Sequence, residues 1–544
     1  MAEAEYYKLH ALIVDDFDSF RVSVSKMLQD FGIQYIDSAV NGADALRHCK
    51  SKSYDLILCD HNLGRGKTGQ QVLEDLRENG HLNRYSLFVL ISAESSKSII
   101  MAAYDYEPDA YLTKPVTTKA LQQRLSRLLA QRARMLPIMQ AIDNERWDVA
   151  EALCLREING GRYANPCQKL LGQLYIQLGA YEKAETVYRD VLEVRQLDWA
   201  QVGMARVKKM QGDLVGAQQW LEEVMNTNPL CMKAYDLQAE IYREQHLHKP
   251  LQDVLQQAVE ISPLSILRQQ QLGDVAMMNN DAETAANAYR KTVRLGENSF
   301  YDRIENHAGF ARATLALFRK NTLMAKSLLR EAIKTMSELE QRFGKSLEQK
   351  IETQLIESQL FACNGEMRKA EDVLRSARQL IATANIEKLP ITAEVELVRA
   401  YATVGQKTAA DELTQELLER YEGSEQDLEK LDALLEEPAS QKNRSLVAVI
   451  NKKGVACYEA GDYAGAIRCF EDALITFPNH IGIRLNLVQA LVDKLKLEFD
   501  AGAMDLAIST LAQVESRIVT THDQFRRFRQ LQDALRNLDA SRRR

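Results

Sequence analysis

The stretch DLILCDHNLGRGKTGQQ, residues 55–71, runs four apolar residues into an acid and then into a basic, glycine-rich segment holding Gly66-Lys67-Thr68. Two chemistries fit such a stretch. A phosphate-binding loop would cradle a nucleotide, and a strand-terminal aspartate could itself carry a phosphoryl group. The first requires a glycine, four residues, and then Gly-Lys-[Ser/Thr]. Counting back five residues from Gly66 lands on His61, so that pattern fails. The Gly-Lys-Thr reads instead as a turn and helix start that follows a strand ending in Asp60.

The surroundings agree. Short apolar runs at Ala11–Val14, Tyr35–Val40, Leu56–Cys59, Leu87–Ile91 and Ala110–Leu112 alternate with helical patterns at Phe20–Phe31, Gly42–Cys49, Thr68–Glu78, Ser96–Ala103 and Thr118–Arg134. Strands spaced by helices predict a parallel sheet covered on both faces. In a doubly wound α/β domain of this kind, ligands gather at the carboxyl ends of the strands. The first run ends in Asp15-Asp16, the third in Asp60, the fourth in Ser92 and the fifth in Thr113-Lys114-Pro115. Converging carboxylates repel one another and need a cation to stay ionised together. Carboxylate oxygens suit a hard ion such as Mg²⁺. A carboxylate so placed can accept a phosphoryl group as an acyl phosphate, and a lysine and a hydroxyl can then stabilise the new oxygens.

On these residues, 8–130 resemble a response-regulator receiver domain, similar to the chemotaxis response regulator. The resemblance implies Asp60 as phospho-acceptor, and Mg²⁺ held by Asp15, Asp16, Asp60 and the backbone carbonyl of Asn62. It implies Ser92 and Lys114 as phosphoryl-binding residues and Tyr111 as the switching aromatic. Asn62 and Glu94 match positions that tune the lifetime of the phosphoryl group. One stretch departs from the family: Leu63-Gly64 replaces a Met-Pro pair, Thr68-Gly69 replaces an acidic-Gly pair, and the loop from Asp60 to Gly69 is one residue longer than usual. Arg65 and Lys67 add charge there. Asp18 and Ser19 read as the cap of the first helix.

Beyond Met135 the strand signals end and a repeat begins. In LLGQLYIQLGAYEKAETVYRDVL, residues 170–192, Gly172, Tyr175, Gly179, Tyr181, Ala184 and Tyr188 sit at tetratricopeptide spacing. Residues 453–478 repeat it with Gly454, Gly461, Ala466, Phe470, Ala473 and Pro478. Ala217, Leu251 and Ala285 stand 34 residues apart, the period of that repeat. The chain from 137 to 500 is therefore similar to tetratricopeptide arrays, with about eight to ten helical hairpins expected. Small residues (Ala184, Ala217, Ala285, Ala466) let helices approach, large ones (Tyr175, Tyr188, Phe470) fill between hairpins, and glycines permit the turns. No hairpin buries its apolar face alone, so neighbours stack into an all-α superhelix. The stretch 299–347 is helical but poor in the pattern, and a break or bend is expected there. Residues 501–544 read as C-terminal helices with a basic end. Pro137 is expected to end the last helix of the α/β domain, and with no Gly/Ser linker following, the two parts should couple directly.

The whole chain has 544 residues and a net charge of −7, and a mildly acidic whole does not advertise nucleic-acid binding, which normally needs a basic face. Its eight cysteines show no Cys-x-x-Cys pair and read as buried thiols. His246-x-His248 reads as solvated turn residues rather than a metal site. No apolar run approaches the roughly 20 residues of a membrane span, and no signal peptide is visible at the start. A cytoplasmic protein is expected.

The two resemblances together imply a bacterial two-component response regulator. It would be phosphorylated on Asp60 by a histidine kinase or phosphotransfer partner, would signal by protein binding through its repeats, and would catalyse nothing beyond its own phosphoryl transfer and dephosphorylation. The protein ligand of the groove is unspecified, and homodimerisation stays open. The alternatives are an inhibitor or phosphate sink that sequesters a kinase or another regulator, and a nucleic-acid-binding regulator using the basic C-terminus.

Overall fold

The protein is described from a computed structural model, covering residues 6–94, 101, 106–161, 163–320, 322–343, 346–383, 389–477, 479–515, 518, 520 and 522–542. The helix expected at Ser96–Ala103 falls almost wholly outside these residues, and Pro478 lies outside them too. The chain divides into two compact units, one of Met1–Met278 with Thr284–Phe310, the other of Asn279–Glu283 with Ala311–Arg544.

The first unit opens with five strands, β1 His10–Val14, β2 Tyr35–Ala39, β3 Leu56–Asp60, β4 Leu87–Ser92 and β5 Ala110–Thr113. All pair in parallel, in the order β2-β1-β3-β4-β5. Alternate residues of the same strands feed two cores. Leu12, Val14, Ile57, Cys59, Phe88 and Leu90 face one side, and Ala11, Ile13, Leu56, Leu58, Val89 and Ile91 face the other. The central β3 and β4 are buried along their whole length, whereas edge strand β2 exposes Tyr35 and Ser38. That contrast is why the middle strands read as unbroken apolar runs. Helices α1 Asp18–Asp30, α2 Gly42–Ser51 and α3 Gly69–Glu78 connect the strands. The α1 cap differs from expectation: Phe17 occupies the cap position without a side-chain bond, and Asp18 lies inside the first turn, where it receives Arg21 at 2.8 Å.

Pro137 does not end the helix that follows β5. That helix runs unbroken from Thr118 to Asp143 with Pro137 inside it. Its first half buries Leu121, Leu125 and Leu129 against the sheet. Its second half buries Met135, Ile138, Ala141 and Ile142 among Cys154, Cys167 and Leu171 of the helices beyond. A proline removes one backbone donor and crowds the carbonyl four residues back, but burial on both sides of it holds the helix together. One helix thus serves two cores, and the α/β layer passes into the repeats without a linker.

The repeats then follow as helices Trp147–Asn159, Ala164–Gln177, Tyr181–Val194, Asp198–Met210, Leu214–Thr227, Met232–Glu244 and His248–Ile261. Their period is set by the turns as well as by the packing. Glu145, Gly179, Gly212, His246 and Asn280 all have left-handed φ between 55° and 84°, and they recur about every 34 residues. His246 is therefore a turn residue, with its ring against that of His248 at 6.5 Å. Gly172 and Gly454 are not turn glycines. Each lies inside a helix where an added Cβ would fall 2.4 Å from Tyr188 and 2.5 Å from Phe470 respectively. They seat the large ring of the next helix, and Gly203 approaches Tyr188 from the following repeat. Tyr175, Tyr188, Ala184 and Ala217 are buried in this unit, as is Ala285.

The second unit continues the helical pattern with longer elements: Thr322–Arg342 has 21 residues, and Leu347–Cys363 and Met367–Thr383 have 17 each. These lengths break the 34-residue register, which is why the sequence pattern fades after residue 299. The unit boundary also falls in this stretch, within helix Ile304–Lys320. Further on, Tyr463–Thr476, Ile481–Leu497 and Ala501–Glu515 share one core with Phe528, Leu531 and Leu535 of the last helix, so the packed array extends past residue 500. Ala466, Phe470 and Ala473 are buried within it. Among the described residues no helix is long and apolar enough to cross a membrane.

Candidate functional site at the carboxyl ends of the strands

Asp15 and Asp16 follow β1, and Asp60 ends β3. Their carboxylates come together with ligand oxygens within 4.8 Å of one another. Asp15 is fully buried, Asp60 is 5% exposed, and Asp16 faces solvent. Adjacent parallel strands in this register bring their ends to one rim, because Val14 pairs with Cys59 and Asp60 pairs with Ile91.

Lys114, just past β5, brings an ammonium to these carboxylates. Its Nζ lies 2.8 Å from Asp15 and 3.0 Å from Asp60, and 4.2 Å from the centre of the Phe20 ring. Burial works against that charge, but the bonds to Asp15 and Asp60 hold its ammonium above the usual lysine range. Burial pushes the Asp60 carboxyl up in turn, with Lys114 opposing it. Asp15 is further fixed by the Phe17 N–H, which donates to its Oδ1 at 2.9 Å, and Arg21 grips its main-chain carbonyl at 2.7 Å. Three carboxylates and one ammonium leave a net negative charge in a half-buried pocket. That balance fits a hard divalent cation, which would be held by carboxylates of Asp15, Asp16 and Asp60.

Ser92 ends β4, one residue beyond the partner of Asp60, and is buried. Its Oγ accepts the N–H of Glu94 at 3.0 Å. The Tyr111 hydroxyl donates to the Glu94 carbonyl at 2.7 Å. The Lys114 N–H donates to the Ser92 carbonyl at 2.7 Å, tying the two strand ends. Asn62 is exposed on the loop, where its side chain accepts the Gly64 N–H at 3.2 Å.

The residues that hold the loop after Asp60 were less visible in the sequence. Gly69 is the first residue of α3, and its N–H donates to the His61 carbonyl at 2.9 Å. A Cβ there would lie 2.1 Å from the Asp60 carbonyl oxygen, so only glycine fits. Thr68 caps α3 in a reciprocal box with Gln71, a pattern readable as Thr-x-x-Gln. Lys67 Nζ lies 2.7 Å from Asp75. The Gly-Lys-Thr is thus a turn and helix cap. Cys59 is buried beside Asp60, and burial holds its thiol well above the usual range.

The response regulator receiver domain family matches residues 11–126. The chemotaxis protein CheY-3 of Vibrio cholerae is 30% identical over 117 residues, which cover 22% of this chain and 88% of that protein. The chain belongs to the response regulator receiver family. The chemotaxis protein CheY of Pseudomonas aeruginosa is 28% identical over 117 residues, 93% of its length. The solved structure of the chemotaxis response regulator CheY4 of Vibrio cholerae aligns at 26% identity over 22% of this chain and 98% of its own, with a TM-score of 0.21. The tetratricopeptide repeat family matches residues 170–196. The chain is thus a receiver followed by a tetratricopeptide-like helical array.

Proposed function

We propose that Asp60 accepts a phosphoryl group from a histidine kinase or phosphotransfer protein, and that the repeat array passes the signal to a protein partner. In this division of labour, residues 8–130 receive, 137–500 bind, and 501–544 close the array. The observation that carries the reading is the pocket itself: Asp15, Asp16 and Asp60 within 4.8 Å, with Lys114 bridging two of them. In transfer, a carboxylate oxygen of Asp60 forms the new bond to phosphorus as the donor's phosphorus–nitrogen bond breaks, and the leaving imidazole keeps the electron pair and takes up a proton. A divalent cation bound by the three aspartates, with the Asn62 carbonyl, would neutralise the gathered negative charge.

Lys114 then exchanges part of its bond to Asp60 for the phosphoryl oxygens, as a point charge on a short tether. Ser92, at the end of the neighbouring strand β4, offers its hydroxyl to the same group. Tyr111, whose hydroxyl now holds the Glu94 carbonyl, is the side chain that reports the change at Ser92. Incubation with acetyl phosphate and Mg²⁺ tests the reading. Labelling is expected for the wild type and absent from Asp60→Ala; labelling that persists in the variant sinks the assignment.

A further inference from the structure

Four of the eight cysteines are not fully buried: Cys231, Cys363, Cys457 and Cys469. The last two belong to one helical hairpin of the second unit, Gln441–Glu459 followed by Tyr463–Thr476. These helices meet with no side chain between them at Gly454, which seats the ring of Phe470. Cys457 lies about one turn beyond Gly454, and Cys469 directly precedes Phe470, so the close approach sets both residues at one level of the hairpin. Cys457 packs from the edge against the core that Ile467 and Phe470 enter, and both cysteines stay partly exposed. Burial raises the Cys469 thiol, and the Cys457 thiol beside it adds to the rise by charge and by hydrogen bonding. Lys453, one turn before Cys457 on the same helix, works the other way, in the sense that favours a reactive thiolate.

The helix that carries Cys457 is lightly held. Among its 19 residues only Gly454 is buried, and Leu446 and Val449 are exposed. Helix Ile481–Leu497 of the same core buries Leu485, Val488, Leu491 and Val492 among others. A covalent bond between Cys457 and Cys469 would fasten the loose helix where packing does little.

We propose that Cys457 and Cys469 are a peroxide-responsive dithiol that closes to a disulfide and locks helix Gln441–Glu459 onto its neighbour. One thiol, as its thiolate, attacks a peroxide oxygen; the oxygen–oxygen bond breaks, and a sulfenic acid and hydroxide form. The second thiolate attacks that sulfur, the sulfur–oxygen bond breaks, and a second hydroxide leaves. Each hydroxide takes up a proton released by a thiol. Two thiols and one hydrogen peroxide thus become one disulfide and two waters, with two electrons passing from the sulfurs to the peroxide. The closed loop restricts the opened hairpin and so favours the packed one. Nothing in this step depends on phosphoryl transfer.

Peptide mass mapping of the full-length reduced protein, before and after hydrogen peroxide and with free thiols capped by iodoacetamide, tests the bridge. Exposure continues until a free cysteine peptide in a parallel sample is fully oxidised. The expected product is a peptide pair linked through Cys457 and Cys469, two hydrogens lighter than the sum of its thiol forms and released by dithiothreitol. Either thiol still capped, oxidised alone, or joined to another cysteine overturns the pairing. Amide hydrogen exchange tests the lock. Residues 441–459 should exchange roughly tenfold more slowly in the bridged protein, and a Cys457→Ser variant treated alike should show no slowing. A bridge with unchanged exchange, or equal slowing in the variant, overturns the lock.

Discussion

A Cβ on Gly69 would stand 2.1 Å from the carbonyl oxygen of Asp60. The start of α3 and the end of β3 therefore touch backbone to backbone, and Asp60 cannot shift without the helix. Gly69→Ala must push the two apart. We expect a loss of about 3 kcal/mol, at the upper end for overpacking a tight site, measured by urea unfolding with a probe in the α/β layer. A loss below 1 kcal/mol would mean that the contact is not rigid.

Lys114 neutralises buried Asp15 and Asp60 together. Removing it leaves carboxylates without compensation, at a cost of about 2 kcal/mol for a partly exposed pair. The variant Lys114→Ala should melt lower than the wild type and should gain more from added Mg²⁺, because the pocket is then more negative. Equal gains in both proteins would show that the aspartates do not share a cation.

Glu74 of α3 is buried, and among the described residues neither of its carboxylate oxygens has a hydrogen-bond partner. Burial lifts its carboxyl from 4.5 to about 7, and the adjacent Asp75 adds to this. The nearby N–H groups of Phe300 and Tyr301 and the Tyr106 hydroxyl offset it only in part. With the folded pKa above the unfolded one, the protonated form is favoured in the folded state. Its contribution is complete below pH 4.5 and is lost as pH rises through 7. Glu74→Gln should therefore be more stable than the wild type at pH 8, by roughly 2–3 kcal/mol, and lose that advantage at pH 4.5. Parallel melting curves across pH would contradict this.

His246 and Gly212 occupy equivalent turns with φ of 56° and 84°. A side chain in the left-handed region costs roughly 1 kcal/mol, which glycine avoids. His246→Gly should raise the melting temperature and Gly212→Ala should lower it. Shifts of the same sign would mean that side-chain contacts, not backbone conformation, control these turns.

These turns also show where sequence reading succeeds and where it stops. The strands were legible to within a residue because β3 and β4 are buried on both faces and so carry unbroken apolar runs. The rim residues were legible because they lie at fixed strand ends: Asp15, Asp16, Asp60 and Lys114 meet as the alternation of elements predicts. Pro137 misled because its local preference was outweighed by apolar residues buried on both sides of it, in two different cores. His246 was legible as a turn residue, but its left-handed backbone was not, because nothing local distinguishes a left-handed histidine from an ordinary one in a turn. The hydrogen bond from Lys67 to the Asn298 carbonyl could not be read at all, since it joins positions 231 residues apart through a main-chain carbonyl that any residue would supply.

The central claim is that Asp60 carries the phosphoryl group. Reduction of an acyl phosphate by borohydride converts the aspartate that bears it to homoserine, which peptide mass mapping locates. After treatment with acetyl phosphate and Mg²⁺, homoserine at position 60 and nowhere else is the predicted result. Homoserine at another aspartate, or none in a protein shown to be folded, would contradict it.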